Sequence, residues 1–516
     1  MTTETESVTR PLEQVAPPSK VRISWQWLLL LAVSLVNVWP VLWFRYLPLM
    51  DHPSHLLQYQ VLSQLYRDAS SFQNFYAANL LPAPNILNDY LTALLAQVFE
   101  IDLASRFTIA AAMVLLPLSV WFYLSRVHPG AQAWAFFVIP LTWSRFLAFG
   151  NENFTLAIPL LFFFLGIIGS KIGPLTKWGF AGILLLSTAI YFAHFLIFAV
   201  AGLGMTLHWL LEKKSIRSLL EHLVPMVPGS LFFLIWSANK GATANSGPIS
   251  PGGFNWVEKL GAFLSGPCPF PWTGIEQTIP WLCLSLSLVI FMGVGGVVLY
   301  RKGSRFPVLL TYACAGIAVA LRPWTIIYIP DQRMWYLSIL LGLALLPKVG
   351  QAGFLRICIF ALPLAIGSSI KVGGAFAQPN QELAAIENAF AQFPTNLRLM
   401  YFGDPALPPH LHRCFEYYHV RKGGRSTMQF VGNEHSVRYA KGQFLTPSGE
   451  AFSIYNYTAD AWLPYLDHFD GVLIIGQPGP ASEAIIAQLE RHLFRPVSTG
   501  AITLLLSPNW KPEPAD

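Results

Sequence analysis

The chain has 516 residues, 54% hydrophobic and 12% charged, with a formal net charge of +6 and a mean hydropathy of +0.47. Soluble domains carry roughly 25% charge, so a soluble enzyme or binding module is excluded, and the lack of a long Lys/Arg run excludes a nucleic-acid partner. The charge is split: residues 1–372 hold 23 Lys/Arg against 14 Asp/Glu (+9), and residues 373–516 hold 10 against 13 (−3).

The polar segment 1–23, with Arg10, Lys20 and Arg22, reads as an N-terminal tail on the cytoplasmic side. Apolar runs then predict about eleven spans, at roughly 24–46, 104–125, 131–149, 154–172, 177–193, 195–212, 219–238, 279–300, 305–323, 333–348 and 353–371. A helix needs about 20 residues to cross a bilayer, so the short pair meeting at His194 is open to reading as one re-entrant hairpin. Basic loops alternate. Arg126, Lys171, Lys177, Lys213, Lys214, Arg217, Arg301, Lys302, Arg305, Lys348 and Arg356 fall on the side of the N-terminus. The opposite loops are long and poor in cations: 47–103 has only Arg67, and 239–278 only Lys240 and Lys259. The positive-inside rule sets the N-terminus in the cytoplasm and, with an odd span count, the C-terminus outside.

In the outer loop 47–103, the stretches Pro53–Arg67 and Pro84–Glu100 carry apolar residues at helical spacing. They predict two amphipathic helices at the membrane surface. After residue 372 the texture changes. Leu397–Phe402, Gly471–Ile475 and Ile502–Leu506 read as short buried strands, with an amphipathic helix over Ala481–Phe494. The expectation is a transmembrane unit over 24–372 followed by a small α/β domain over 373–516 with some parallel sheet. Of the five cysteines, Cys268 and Cys414 are the pair that an oxidising compartment could join. The histidines of "PPHLHRCFEYYH" read as a surface loop, and "RKGGR" at 421–425 as a basic turn.

Three acids stand where a predicted span meets water beside other polar groups: Asp51 in "MDHPSH", Glu152 in "FGNENF" and Asp331 in "IPDQRMW". A carboxylate there is costly to desolvate and needs a partner or a use. Asp51 and His55 share a helix face if a helix starts near Pro53, although Asp51 could equally serve as a helix cap. Glu152 has an ion pair with Arg145 as its plain alternative, and Asp331 one with Arg333. Arg322 and Arg333 bracket one outer loop, a spacing that suits a lipid phosphate. His194 is a lone histidine within an apolar run, more simply a packed residue than a ligand.

The acid after the first span (Asp51, in the pattern Asp-aromatic-Pro-x-His-Leu), the long first outer loop, the acidic loop "AFGNENFTLAIPL" and the late entry Asp331-Gln-Arg-Met-Trp335 together resemble the GT-C glycosyltransferase superfamily. The likeness is closest to bacterial members related to mannosyl-, galacturonosyl- and aminoarabinose-transferring groups. It departs at His52, where the family often has a second acid. The resemblance implies an inner-membrane enzyme. Its partners would be membrane lipid, a polyprenyl-phosphate-linked sugar, and a glycan, lipid or protein acceptor on the outer face. Implied catalytic residues are Asp51 as base, His55 beside it and Glu152 as second acid. Arg333 and Arg322 would hold the phosphate, with Asp331, His52 and His194 lining the substrate. The cofactor stays open: a divalent metal ion, if one binds, is expected on Asp51 and Glu152. A transporter or flippase, and a non-catalytic envelope assembly protein, are the alternatives.

Overall fold

A computed structural model describes residues 24–65, 71–169, 177–211, 215, 223–239, 275–321, 330–403, 407–426, 436–439, 468–476, 486–487, 489–490, 495–499 and 502–510. The N-terminal tail, Cys268, Arg322, His435 and most of the helix expected over Ala481–Phe494 lie outside these residues.

The helices, in chain order, are α1 (Trp25–Asn37), α2 (Trp39–Trp43), α3 (His52–Leu65), α4 (Leu87–Leu95), α5 (Ile101–Val127), α6 (Val138–Leu141), α7 (Arg145–Ala148) and α8 (Glu152–Ile168). They continue with α9 (Lys177–Ala193), α10 (Phe195–Leu211), α11 (Val227–Asn239), α12 (Ile275–Arg301), α13 (Arg305–Ala320), α14 (Pro330–Gly342), α15 (Gln351–Phe390) and α16 (Glu416–Lys422). Among the described residues, α5 and α15 are each long and apolar enough to cross a membrane by themselves, and several others are shorter apolar helices. Leu286, Ile290, Val294 and Val297 on α12, and Leu355, Ile359, Phe360, Ile366 and Ile370 on α15, face outward and are exposed. Such an apolar belt is tolerable against lipid and not against water.

The expected span 131–149 is not one helix. It is a 3-10 turn over Gln132–Phe137 followed by α6 and α7. Pro140 removes a backbone donor. The side chain of Thr142 bonds back to the Ile139 carbonyl at 2.7 Å, and Asn37 Nδ2 donates to Thr142 Oγ1 at 3.0 Å and to Ile139 O at 3.3 Å. Ser144 then caps a new turn through Leu147 N. Irregular backbone at this depth is tolerable because protein, not lipid, surrounds it: Phe136, Trp143 and Phe146 are fully buried. The pair around His194 consists of two separate helices, α9 and α10, both packed on α8.

Helix α15 has 40 residues, about 60 Å at 1.5 Å per residue. A bilayer core is about 30 Å thick, so α15 is about twice as long as one crossing needs, and it carries the chain into the tail without a break at residue 372. There, strands β2 (Arg398–Gly403), β3 (Arg425–Ser426), β5 (Gly471–Ile475), β6 (Arg495–Thr499) and β7 (Ile502–Leu506) form one sheet, ordered β3-β2-β5-β7-β6. Strand β2 is parallel to β3 and β5, while β7 is antiparallel to β5 and β6. Two strands of this sheet, β3 and β6, were not expected, and β6 is the longer. It opens Arg-Pro and contains Ser-Thr, so it lacks an apolar signature, and its hairpin with β7 turns the last strand antiparallel.

A second, two-stranded sheet joins β1 (Tyr76–Ala78) of the outer loop to β4 (Val437–Tyr439) of the tail, with Tyr76 opposite Tyr439. Leu56, Leu57, Tyr59 and Leu62 of α3 share one core with Leu399, Tyr401, Leu473, Ile475 and Leu504 of the sheet. The stretch "HLHRCFEYYH" belongs to that core as well, against the expectation of a surface loop. Cys414, Phe415, Tyr417, Tyr418 and His419 are all fully buried, because this stretch lies between the sheet and α3. Its histidines have separate partners: His410 with Glu382, His412 with Leu407 O and His419 with Gly423 O.

Candidate active site

Two loops meet at one end of the helical bundle. The chain before α3 runs against the chain before α8, with Met50 N donating to Ala148 O at 3.0 Å and Asp51 N to Phe149 O at 3.2 Å. Gly150 makes the close approach possible. Its φ is +81°, and a Cβ there would lie 2.9 Å from Asp51 N. A left-handed non-glycine residue costs about 1–2 kcal/mol before any clash. Gly150→Ala is therefore expected to lower stability by roughly 2 kcal/mol or more and to push Asp51 away from Glu152, measurable as a fall in unfolding midpoint together with lost activity.

Glu152 opens α8 and is sealed, with its side chain 1% exposed. Oε1 lies 2.7 Å from His52 Nδ1; Oε2 accepts from Tyr59 Oη at 2.7 Å and from Asn88 Nδ2 at 3.1 Å. Among the described residues Glu152 is paired with His52 and not with Arg145, whose guanidinium lies over the Phe149 ring, 4.9 Å from its centroid. His52 and Tyr59 are seven residues apart, two turns along α3, so both meet the same carboxylate. A hydrogen bond to a carboxylate sets the Nδ1 proton of His52. Burial, then the charges of Glu152 and Asp89, raise the Tyr59 pKa well above the ordinary value and keep its phenol a donor.

Asp89 continues the network. Its Oδ1 accepts from Asn153 Nδ2 at 3.2 Å and its Oδ2 from Ser436 Oγ at 2.7 Å, and Asn153 Oδ1 receives Asn88 N at 2.9 Å. Burial pushes the Asp89 carboxyl from 3.8 up to about 6, against the charge of His55 and the bonds from Ser436 and Asn153. The folded chain thus holds this proton more firmly than the unfolded chain. The stability it confers is complete below the ordinary value of 3.8 and is lost as pH rises through about 6. Relative to Asp89→Asn, the wild-type protein is expected to lose roughly 2–3 kcal/mol between pH 4 and 7, read by denaturation at each pH. A constant difference would contradict this assignment.

Asp51 itself is 26% exposed and pairs with a residue of the tail: Arg413 Nε lies 2.6 Å from its Oδ1. His55, on the next turn of α3, stacks on Tyr59 with centroids 6.0 Å apart. Arg333 is buried in the opposite wall. Its Nη2 donates to Asn151 Oδ1 at 2.8 Å, its Nη1 lies 3.0 Å from His194 Nε2, and its guanidinium covers the Phe154 ring at 5.1 Å. Asp331 is buried at the start of the same helix as Arg333.

Asp51, His52, His55 and Glu152 therefore stand together, with Arg333 and His194 tied to them through Asn151, the residue before Glu152. Arg322 lies outside the described residues. Tyr59, Asn88, Asp89, Arg413 and Ser436 join the site without having been expected. The two carboxylates do not fit a shared metal site, because both oxygens of Glu152 face His52, Tyr59 and Asn88. Among the described residues no group of three His, Cys, Asp or Glu side chains is arranged to hold a metal ion.

No family model matches the sequence, and no curated protein does. Solved structures do. ArnT from Cupriavidus metallidurans, in its crystal structure bound to undecaprenyl phosphate, superposes with a TM-score of 0.58 at 13% identity, covering 95% of this chain and 99% of that one. Its apo form also gives 0.58 at 13% identity, covering 93% and 97%. This chain has a GT-C-like fold. That makes it a polytopic, helical membrane fold. The buried polar residues His52, Asn88, Asp89, Glu152 and Asn153 gather where the first turns of α3, α4 and α8 meet.

Proposed function

We propose that the protein is a glycosyltransferase that moves a sugar from a polyprenyl-phosphate donor to an envelope glycan, lipid or protein acceptor. On this reading the chain makes about eleven crossings of the inner membrane, the N-terminus is cytoplasmic, and the tail domain is extracytoplasmic over the starts of α3 and α8. The observation that carries the reading is the pairing of a water-accessible carboxylate, Asp51, with an arginine beside a sealed His52–Glu152 couple. The GT-C-like fold and the undecaprenyl phosphate in the ArnT structure support it.

Asp51 accepts the proton of the acceptor hydroxyl as that oxygen attacks the anomeric carbon. The carbon–oxygen bond to phosphate breaks, and its electron pair leaves on the phosphate, already a weak base, so no strong general acid is required. Glu152 does not touch the substrate in this scheme. It orients His52 through Nδ1, the way a buried carboxylate orients an imidazole in a hydrolase triad. Arg333 and His194 hold the Asn151–Glu152 corner. The convergence of these groups at one end of the bundle speaks for chemistry at a surface and against a transporter, which would need polar sites at mid-membrane.

The test is lipid analysis of cells lacking the protein. The polyprenyl-phosphate sugar it consumes accumulates and falls again on complementation. Unchanged lipid pools under conditions where the protein is normally made would remove the transferase reading.

A further inference from the structure

Arg413 enters the site from the tail, 359 residues beyond Ser54. Its Nε holds Asp51 Oδ1 at 2.6 Å, and its Nη1 donates to Ser54 Oγ at 3.2 Å, so the guanidinium lies across the first turn of α3. The ion pair is open to water, with side chains 20% and 26% exposed. Arg333 is built differently: it is 7% exposed, fastened to His194 and Asn151, and covered by Phe154. A clamped arginine of that kind holds structure. The Arg413–Asp51 pair instead has one side open to solvent, through which an incoming anion reaches the guanidinium.

We propose that Arg413 binds the phosphate of the polyprenyl donor, exchanging Asp51 for phosphate oxygens when the donor enters. The assignment rests on the transferase reading above and deepens it. The planar guanidinium fork matches two phosphate oxygens. The exchange releases the carboxylate of Asp51, so that donor binding arms the base. As the acceptor oxygen bonds to the anomeric carbon, its proton passes to Asp51. The electron pair of the broken sugar–phosphate bond adds a second negative charge to the phosphate, which Arg413 neutralises where that charge develops. The resting pair keeps the base masked until a donor is present.

The experiment is binding of polyprenyl phosphate and of the matching polyprenol to the full-length protein in nanodiscs, read by native mass spectrometry, with inorganic phosphate as competitor. Wild type is expected to prefer the phosphorylated lipid at least tenfold. R413Q loses that preference, and R413K keeps part of it. D51N, whose neutral amide holds Arg413 more weakly than the carboxylate does, binds polyprenyl phosphate several-fold more tightly. An R413Q protein with the wild-type preference, or a D51N protein without tighter binding, reduces Arg413 to a structural tie. Should R413Q fail to fold, the D51N comparison decides alone. A wild-type protein indifferent to the phosphate removes the transferase reading as well. Displacement by inorganic phosphate at equal concentration reassigns the site to a free anion.

Discussion

Asp51→Asn is expected to abolish sugar transfer while leaving the protein folded. Asparagine has the same shape and can still accept from Arg413 Nε, so the loop contacts of Met50 and Asp51 with Ala148 and Phe149 remain. What disappears is the basic oxygen. Positioned proton acceptors contribute typically 10²- to 10⁴-fold, so kcat should fall by about that factor. The donor KM should not rise, because Asp51 competes for Arg413 and does not itself bind the lipid. A variant with more than about a tenth of wild-type turnover would move the base elsewhere, to His55 first, one turn along α3.

Replacing Glu152 should damage structure as well as rate. Its carboxylate is the single acceptor on which His52, Tyr59 and Asn88 converge, and all four residues are buried. Glu152→Ala leaves these donors facing a hole. Breaking a buried pair by removing one partner costs about 3–5 kcal/mol. The unfolding midpoint in detergent should drop sharply, and α3 should lose its anchorage to α8. Glu152→Gln keeps the acceptor oxygen for Tyr59 but not the charge opposite His52. It should stay folded with a lower kcat, since His52 is no longer fixed by a carboxylate. Unchanged stability of the alanine variant would contradict the sealed network.

The membrane helices were legible because their signal is local: long apolar runs broken by basic loops. So were the positions of Asp51, Glu152 and Arg333, since an ionisable group at the mouth of an apolar run is conspicuous by its cost. Their partners were legible only in part. Tyr59 and Asn88 sit in helices whose apolar residues, Leu56–Leu62 and Leu87–Leu95, dominate the pattern and hide two polar residues buried among them. The polar pair Asn88-Asp89 in an otherwise apolar helix is the signal that could have found them. Arg413 carried no signal, because the contact that matters is tertiary and joins the first outer loop to the tail. The histidines around it misled for the same reason: charge and aromaticity in "HLHRCFEYYH" suggested surface, whereas α3 and the sheet enclose it. The 131–149 segment failed as a helix through Pro140, a local rule that was readable.

A reaction centre at Asp51 is tested by the release of polyprenyl phosphate by purified protein given a panel of polyprenyl-phosphate sugars and a membrane extract as acceptor. Wild type is expected to release it from one donor in step with sugar transfer, and D51N to release none above background. Equal release by both proteins, or no release by wild type from any donor in the panel, would contradict a reaction centre built around Asp51.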